Sequence, residues 1–97
     1  MRRRYLLCYD IRDTRRLRET HQTVKGFGEP LQYSVFVCDL SDGERIKMID
    51  RLRAVIDERT DSIMIVDLGE TGPGREGRQI RWLGTPSALP QRGASIL

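Results

Sequence analysis

The chain has 97 residues, 17 of them Lys or Arg and 14 Asp or Glu, for a formal net charge of +3. That length holds one hydrophobic core and no second one. No apolar run approaches the roughly 20 residues that cross a bilayer, so a membrane-spanning reading is excluded.

The charge is unevenly spread. Residues 1–26 carry a net +5, residues 27–74 a net −5 and residues 75–97 a net +3. Two basic segments thus flank an acidic middle, and basic ends folded onto one face would suit a phosphate backbone. The basic start, Met1 to Arg4, is followed by only a short apolar stretch ending at Asp10. That is too little for a secretion signal. Cys8 and Cys38 lie in apolar runs without metal-ligand spacing and read as reduced core cysteines, so a cytoplasmic location is expected.

In chain order, Tyr5 to Tyr9 reads as a strand buried on both faces. Asp13 is a helix N-cap with Thr14 as the first helical residue. Leu17, His21, Val24 and Phe27 recur at helical spacing and predict a helix over 14–25, stopped by Gly26 and Gly28. Residues 30–40 (PLQYSVFVCDL) read as strand, either one long kinked strand or two bent near Ser34. Ser41 and Glu44 form a capping box. The helix it opens carries Ile46, Ile49, Leu52, Val55 and Ile56 as its apolar stripe. Residues 61–68 (DSIMIVDL) form another strand, 69–77 a Gly-rich loop and 78–84 (RQIRWLG) a half-exposed edge strand. Residues 85–97 read as a flexible tail.

This order predicts an α+β, ferredoxin-like sandwich over residues 1–84. Two helices cover one face of an antiparallel sheet, and an extra C-terminal strand follows. The other sheet face is then open to a partner or ligand.

The chemistry-bearing residues are few. With one histidine, no His-based metal cluster forms within a chain, and "GPGREG" lacks the Lys-Ser/Thr ending of a P-loop. His21 sits on an apolar stripe and reads as a packing or surface histidine rather than a general base. Asp10 differs: it ends an apolar strand, where sheets often present ligands. A carboxylate there suits a hard cation such as Mg2+, which is commonly held by one or two carboxylates plus substrate phosphates. One Asp10 per chain is too little, but two brought together by a two-fold axis would serve. The competing reading is that Asp10 caps a turn or pairs with Arg12, Arg15 or Arg16. Asp39 and Asp67 also sit near strand ends, and Asp39 reads as a turn residue.

"YDIRDTRRLR", "QYSVFVCDL", an amphipathic helix, "DSIMIVDL" and a closing "RWLG" fall in an order and spacing that resemble the CRISPR-associated protein two family. The resemblance covers residues 4 to about 84. It implies a ferredoxin-like homodimer whose last strand extends the partner's sheet. It also implies a role beside the CRISPR integrase in spacer acquisition, and a Mg2+-dependent endonuclease acting on RNA or DNA.

Asp10 matches the proposed metal ligand, Arg16 and Arg18 the basic residues that bear on activity, and Ser34 and Phe36 the residues shaping the groove. The chain departs from many members at Pro30, where they carry a basic residue. In the expected scheme two Asp10 carboxylates hold Mg2+, Arg16 and Arg18 neutralise phosphate charge, and the pH optimum is alkaline for want of a general base. The alternative is a non-catalytic DNA-binding bridge that scaffolds the integrase. It would present Arg12, Arg15 and the other basic residues of 2–25, with Arg75, Arg78 and Arg81, to the phosphate backbone.

Overall fold

The structure, a computed structural model, describes residues 1–74 and 80–85 and the backbone of 94–96. The elements are β1 (Arg3–Asp10), α1 (Thr14–Lys25), β2 (Glu29–Gln32), β3 (Val35–Leu40), α2 (Asp42–Val55), β4 (Ser62–Glu70), β5 (Ile80–Trp82) and β6 (Ala94–Ile96). The first four strands form one antiparallel sheet in the order β2-β3-β1-β4. With α1 and α2 as crossovers this is the ferredoxin-like arrangement.

The helix boundaries follow from local chemistry. Asp13 has extended backbone, and its carboxylate accepts the Arg16 amide at 2.9 Å. Ser41 and Glu44 close a reciprocal capping box, the Ser41 amide donating to Glu44 at 2.8 Å. That bond and the hydroxyl of Ser41, with Arg2 beside them, hold the Glu44 carboxyl below its usual range. α1 ends at Gly26. At Gly28 the chain runs so close over β3 that a Cβ would overlap the Val37 carbonyl and the Cys38 sulfur.

The stretch predicted as one kinked strand or two is two, joined by Tyr33 and Ser34. Ser34 takes a left-handed φ of 68°. Its carbonyl accepts the Tyr9 amide at 3.1 Å, which ties the hairpin turn to the end of β1.

Alternation along β1 splits the sheet into two faces. Tyr5, Leu7 and Tyr9 share a face with Phe36, Cys38 and Leu40 and pack against Val24, Met48 and Leu52 of the helices. Burial pushes the Cys38 thiol up to about 12, so it is an inert packing group. Leu6, Cys8 and Asp10 share the opposite face with Val35, Val37, Met64 and Val66. Met64 is 57% exposed there.

The α2 stripe differs from expectation at two residues, one of them Ile56, which is the extended C-cap beyond Val55. Ile46 faces solvent and Met48 is fully buried in its place. At about 100° per residue Ile46 stands some 120° around the helix from Leu52, outside the face that packs.

β5 pairs in parallel with β6 rather than with the four-stranded sheet. The segment expected to be a tail therefore carries one described element, and the rest of it, 86–93 and 97, lies outside the described residues. No helix among the described residues is long and apolar enough to cross a membrane.

Candidate functional site

Four aspartates lie at or near the ends of the sheet strands, and the fold uses three of them. Asp39 receives Arg4 at 2.8 and 3.0 Å, and the Arg4 side chain is only 4% exposed. Asp67 accepts the Gly69 amide at 2.9 Å and Arg3 at 2.9 Å. Both bonds hold its carboxyl low.

Asp61 is the most heavily engaged. It accepts the backbone amides of Arg12 and Asp57, each at 2.9 Å, and the Arg16 guanidinium at 2.7 Å, and its side chain has no exposed surface. The Arg16 hydrogen bond holds its carboxyl well below the usual carboxylate range, against the opposing effect of burial, with the two amides adding to the depression. Asp61 thus locks together the turn after β1, the start of α1 and the loop before β4. The sequence reading missed it, because its partners other than Asp57 and Thr60 are more than forty residues away in the chain.

Asp10 is the exception. Its side chain is 65% exposed, and its one ion pair among the described residues is with Arg12 at 3.5 Å, itself 68% exposed. Asp10 and Ser62 are registered across β1 and β4, so Asp10 stands at the same end of the sheet as Asp61.

The predicted site residues divide accordingly. Arg12, Arg15 and Arg18 are exposed along the turn and the first half of α1. Among the described residues Arg15 pairs only with Glu19, one helical turn on, at 3.2 Å. Arg18 makes no ion pair among the described residues and lines a cavity with Tyr9, Thr14, Leu17, His21 and Tyr33. Arg16 is committed to Asp61 and Thr60.

Ser34 is half-buried in the hairpin turn. Phe36 has no exposed surface. It stacks near Tyr9 at 6.3 Å and meets His21 edge-on at 5.3 Å, so it acts by packing and does not itself line a groove. Its strand is apolar on both faces, which hid the inward direction. Of the two readings of His21, packing or surface, the structure gives packing: its ring meets Phe36 and its Nδ1 is 2.9 Å from the Tyr9 hydroxyl. Arg78 and Arg75 lie outside the described residues.

The N-terminal arginines are not part of this site. Arg2 pairs with Glu44 at 2.6 Å, Arg3 with Asp67 and Arg4 with Asp39. At about 3.3 Å per residue, Arg3 sits some 23 Å from Asp10 along β1.

No group of three or more His, Cys, Asp or Glu side chains that could hold a metal occurs among the described residues. The oxygen donor of Asp10 suits a hard cation, but one chain supplies one such ligand.

Comparison with known proteins agrees with this frame. The family model for CRISPR associated protein Cas2 matches residues 1–75. A protein of Rhodospirillum rubrum described as CRISPR-associated endoribonuclease Cas2 1 is 45% identical over 65 residues, covering 67% of this chain and 64% of that one. A counterpart from Thermodesulfovibrio yellowstonii, described as CRISPR-associated endoribonuclease Cas2 2, is 43% identical over 68 residues, 70% of this chain and 75% of its own.

Among solved structures, Streptococcus pyogenes Cas2 superposes with a TM-score of 0.69 at 30% identity, over 84% of this chain and 99% of that one. A hypothetical protein of Thermus thermophilus gives 0.77 at 28% identity, over 94% and 100%. A small ferredoxin-like domain with an exposed carboxylate and arginines at one sheet end is the class the fold and site define. The chain belongs to the CRISPR associated protein Cas2 family.

Proposed function

We propose that the chain is an endonuclease of CRISPR spacer acquisition that hydrolyses phosphodiester bonds of RNA or DNA at a site built on Asp10. The observation that carries the reading is that Asp10 is the most exposed of the four strand-end aspartates and, among the described residues, meets only one exposed arginine at 3.5 Å, whereas the other three are held by closer bonds within the fold. The relatives described as endoribonucleases favour RNA as the substrate.

The working unit is a homodimer. The apolar sheet face away from the helices, with Leu6, Cys8, Val35 and Met64, favours a second copy stacked upon it. Asp10 stands on that same face, at its end, so pairing there would bring a second Asp10 toward the first. The two carboxylates together would hold Mg2+. When bound, the ion supplies charge neutralisation at the phosphate and a more acidic water. Arg12, beside Asp10, offsets the negative charge that builds up in the transition state, and Arg18 binds a neighbouring phosphate and orients the strand. Arg16 contributes by holding the turn that carries Arg12, through Asp61. The CRISPR integrase is the expected partner of the dimer.

The exposed row Arg12, Arg15 and Arg18 also supports a second reading, a DNA-binding bridge that does not cut. One assay separates the two. Wild type and Asp10→Ala are compared on single-stranded RNA and duplex DNA, with Mg2+ and with chelator. Cleavage that needs both Asp10 and Mg2+ supports the enzyme. Equal inertness with retained, steeply salt-dependent DNA binding supports the bridge.

A further inference from the structure

We infer that the cavity between α1 and the β2–β3 hairpin seats one unstacked base of a single-stranded nucleic acid, with Tyr33 as the stacking platform and Arg18 as the phosphate contact. The inference rests on the nucleic-acid reading above and narrows it to single strands.

The cavity measures about 280 Å³ and is lined by Tyr9, Thr14, Leu17, Arg18, His21 and Tyr33. That is near the lower end of small-ligand sites, which span roughly 300–1,000 Å³, and is the scale of one nucleoside. Tyr33 is 81% exposed, an unusual state for a large aromatic ring in a domain whose other two tyrosines are buried.

The turn that carries it is held by the backbone. The adjacent Ser34 holds a left-handed φ of 68°, and the Ser34 carbonyl is bonded to the Tyr9 amide. The ring is thereby carried on a fixed turn and presented to solvent at the cavity. An exposed aromatic face beside a cation is the pairing used by proteins that bind single strands. Arg18, without an ion pair among the described residues, is free to meet the adjoining phosphate.

Behind them Tyr9 and His21 line the wall, held in place by the hydrogen bond between the Tyr9 hydroxyl and His21 Nδ1 at 2.9 Å. A duplex cannot use this seat without first unstacking a base, which sets the preference for single strands. Tyr9 and Asp10 are consecutive in β1, so the seat and the exposed carboxylate share one end of the sheet on opposite faces.

The test is fluorescence anisotropy of a short labelled oligouridylate and of a labelled duplex DNA, both in chelator so that binding is read without cleavage. Tyr33→Ala is expected to weaken oligouridylate binding by roughly 5- to 100-fold, the worth of one base–aromatic stack. Tyr33→Phe should retain wild-type affinity, and duplex affinity should be unchanged in both variants. Arg18→Ala should lower the salt dependence of oligouridylate binding by about one phosphate contact.

The inference is overturned if Tyr33→Ala binds the single strand like wild type, if Tyr33→Phe fails along with it, if duplex binding falls equally, or if wild type binds no single strand. The nuclease reading fails separately, by cleavage that survives Asp10→Ala. With Tyr33 so exposed, unchanged melting curves will show that the variants are folded.

Discussion

Asp10 and Asp61 stand at the same end of the β1–β4 pair, yet their surroundings are opposite. Asp61 is sealed from solvent and accepts two backbone amides and the Arg16 guanidinium. Asp10 is mostly exposed and meets one exposed arginine at 3.5 Å. The same division runs through α1, where Arg16 is tied down and Arg18 is unpaired among the described residues. A motif rich in Asp and Arg has been split into a buried frame and an exposed surface. The frame holds the turn so that the surface can present a carboxylate and cations at fixed positions.

Breaking the frame should have the largest effects. Asp61→Ala strands Arg16 and leaves two amides without acceptors, so its Tm should fall by on the order of 10–20 °C or the protein should fail to fold. A variant that melts like wild type would dissolve the distinction. Phe36→Ala empties a core position and should cost about 3–5 kcal/mol in chemical denaturation. Any nucleic-acid defect it shows should follow the loss of folded protein.

Acid sharpens the contrast. The Asp61 carboxyl is depressed in the folded state, so its contribution is complete above its unfolded value, near 4, and is lost as pH falls below that. Wild type should lose Tm on acidification below about pH 4. Asp61→Asn, weaker throughout, should lose less over that interval. Glu44, Asp57 and Asp67 are depressed too, so the difference between the two proteins is the quantity to read.

The two arginines separate next. Arg16→Ala should lower Tm by several degrees, whereas Arg18→Ala should leave Tm unchanged and weaken nucleic-acid binding severalfold. The smallest effect belongs to Arg15 and Glu19, an exposed pair one helical turn apart. Glu19→Gln should change stability by no more than about 0.5 kcal/mol.

The sequence made the helix starts legible because capping is local: Asp13 and Ser41 each announce themselves within four residues. The element order was enough for the ferredoxin-like sheet. The hairpin break was ambiguous because Tyr33-Ser34 lacks the Gly or Asn that usually marks a two-residue turn, and Ser34 adopts the left-handed backbone instead. Ile46 was placed on the wrong side of α2 because an apolar residue near a helix start fits a stripe loosely.

At the site, Asp10 was visible from its place at the end of an apolar strand. The role of Arg16 was not, since its partner Asp61 lies in a distant loop. Tyr33 escaped notice because an exposed aromatic and a core aromatic look the same in a strand-rich stretch.

The most direct test of the account is the cleavage rate of Asp10→Ala on single-stranded RNA with Mg2+, measured on protein whose melting curve overlays that of wild type. A loss on the order of 100-fold or more in a fully folded protein is the predicted result. Wild-type cleavage by the folded variant would contradict it and leave the exposed carboxylate without a catalytic role.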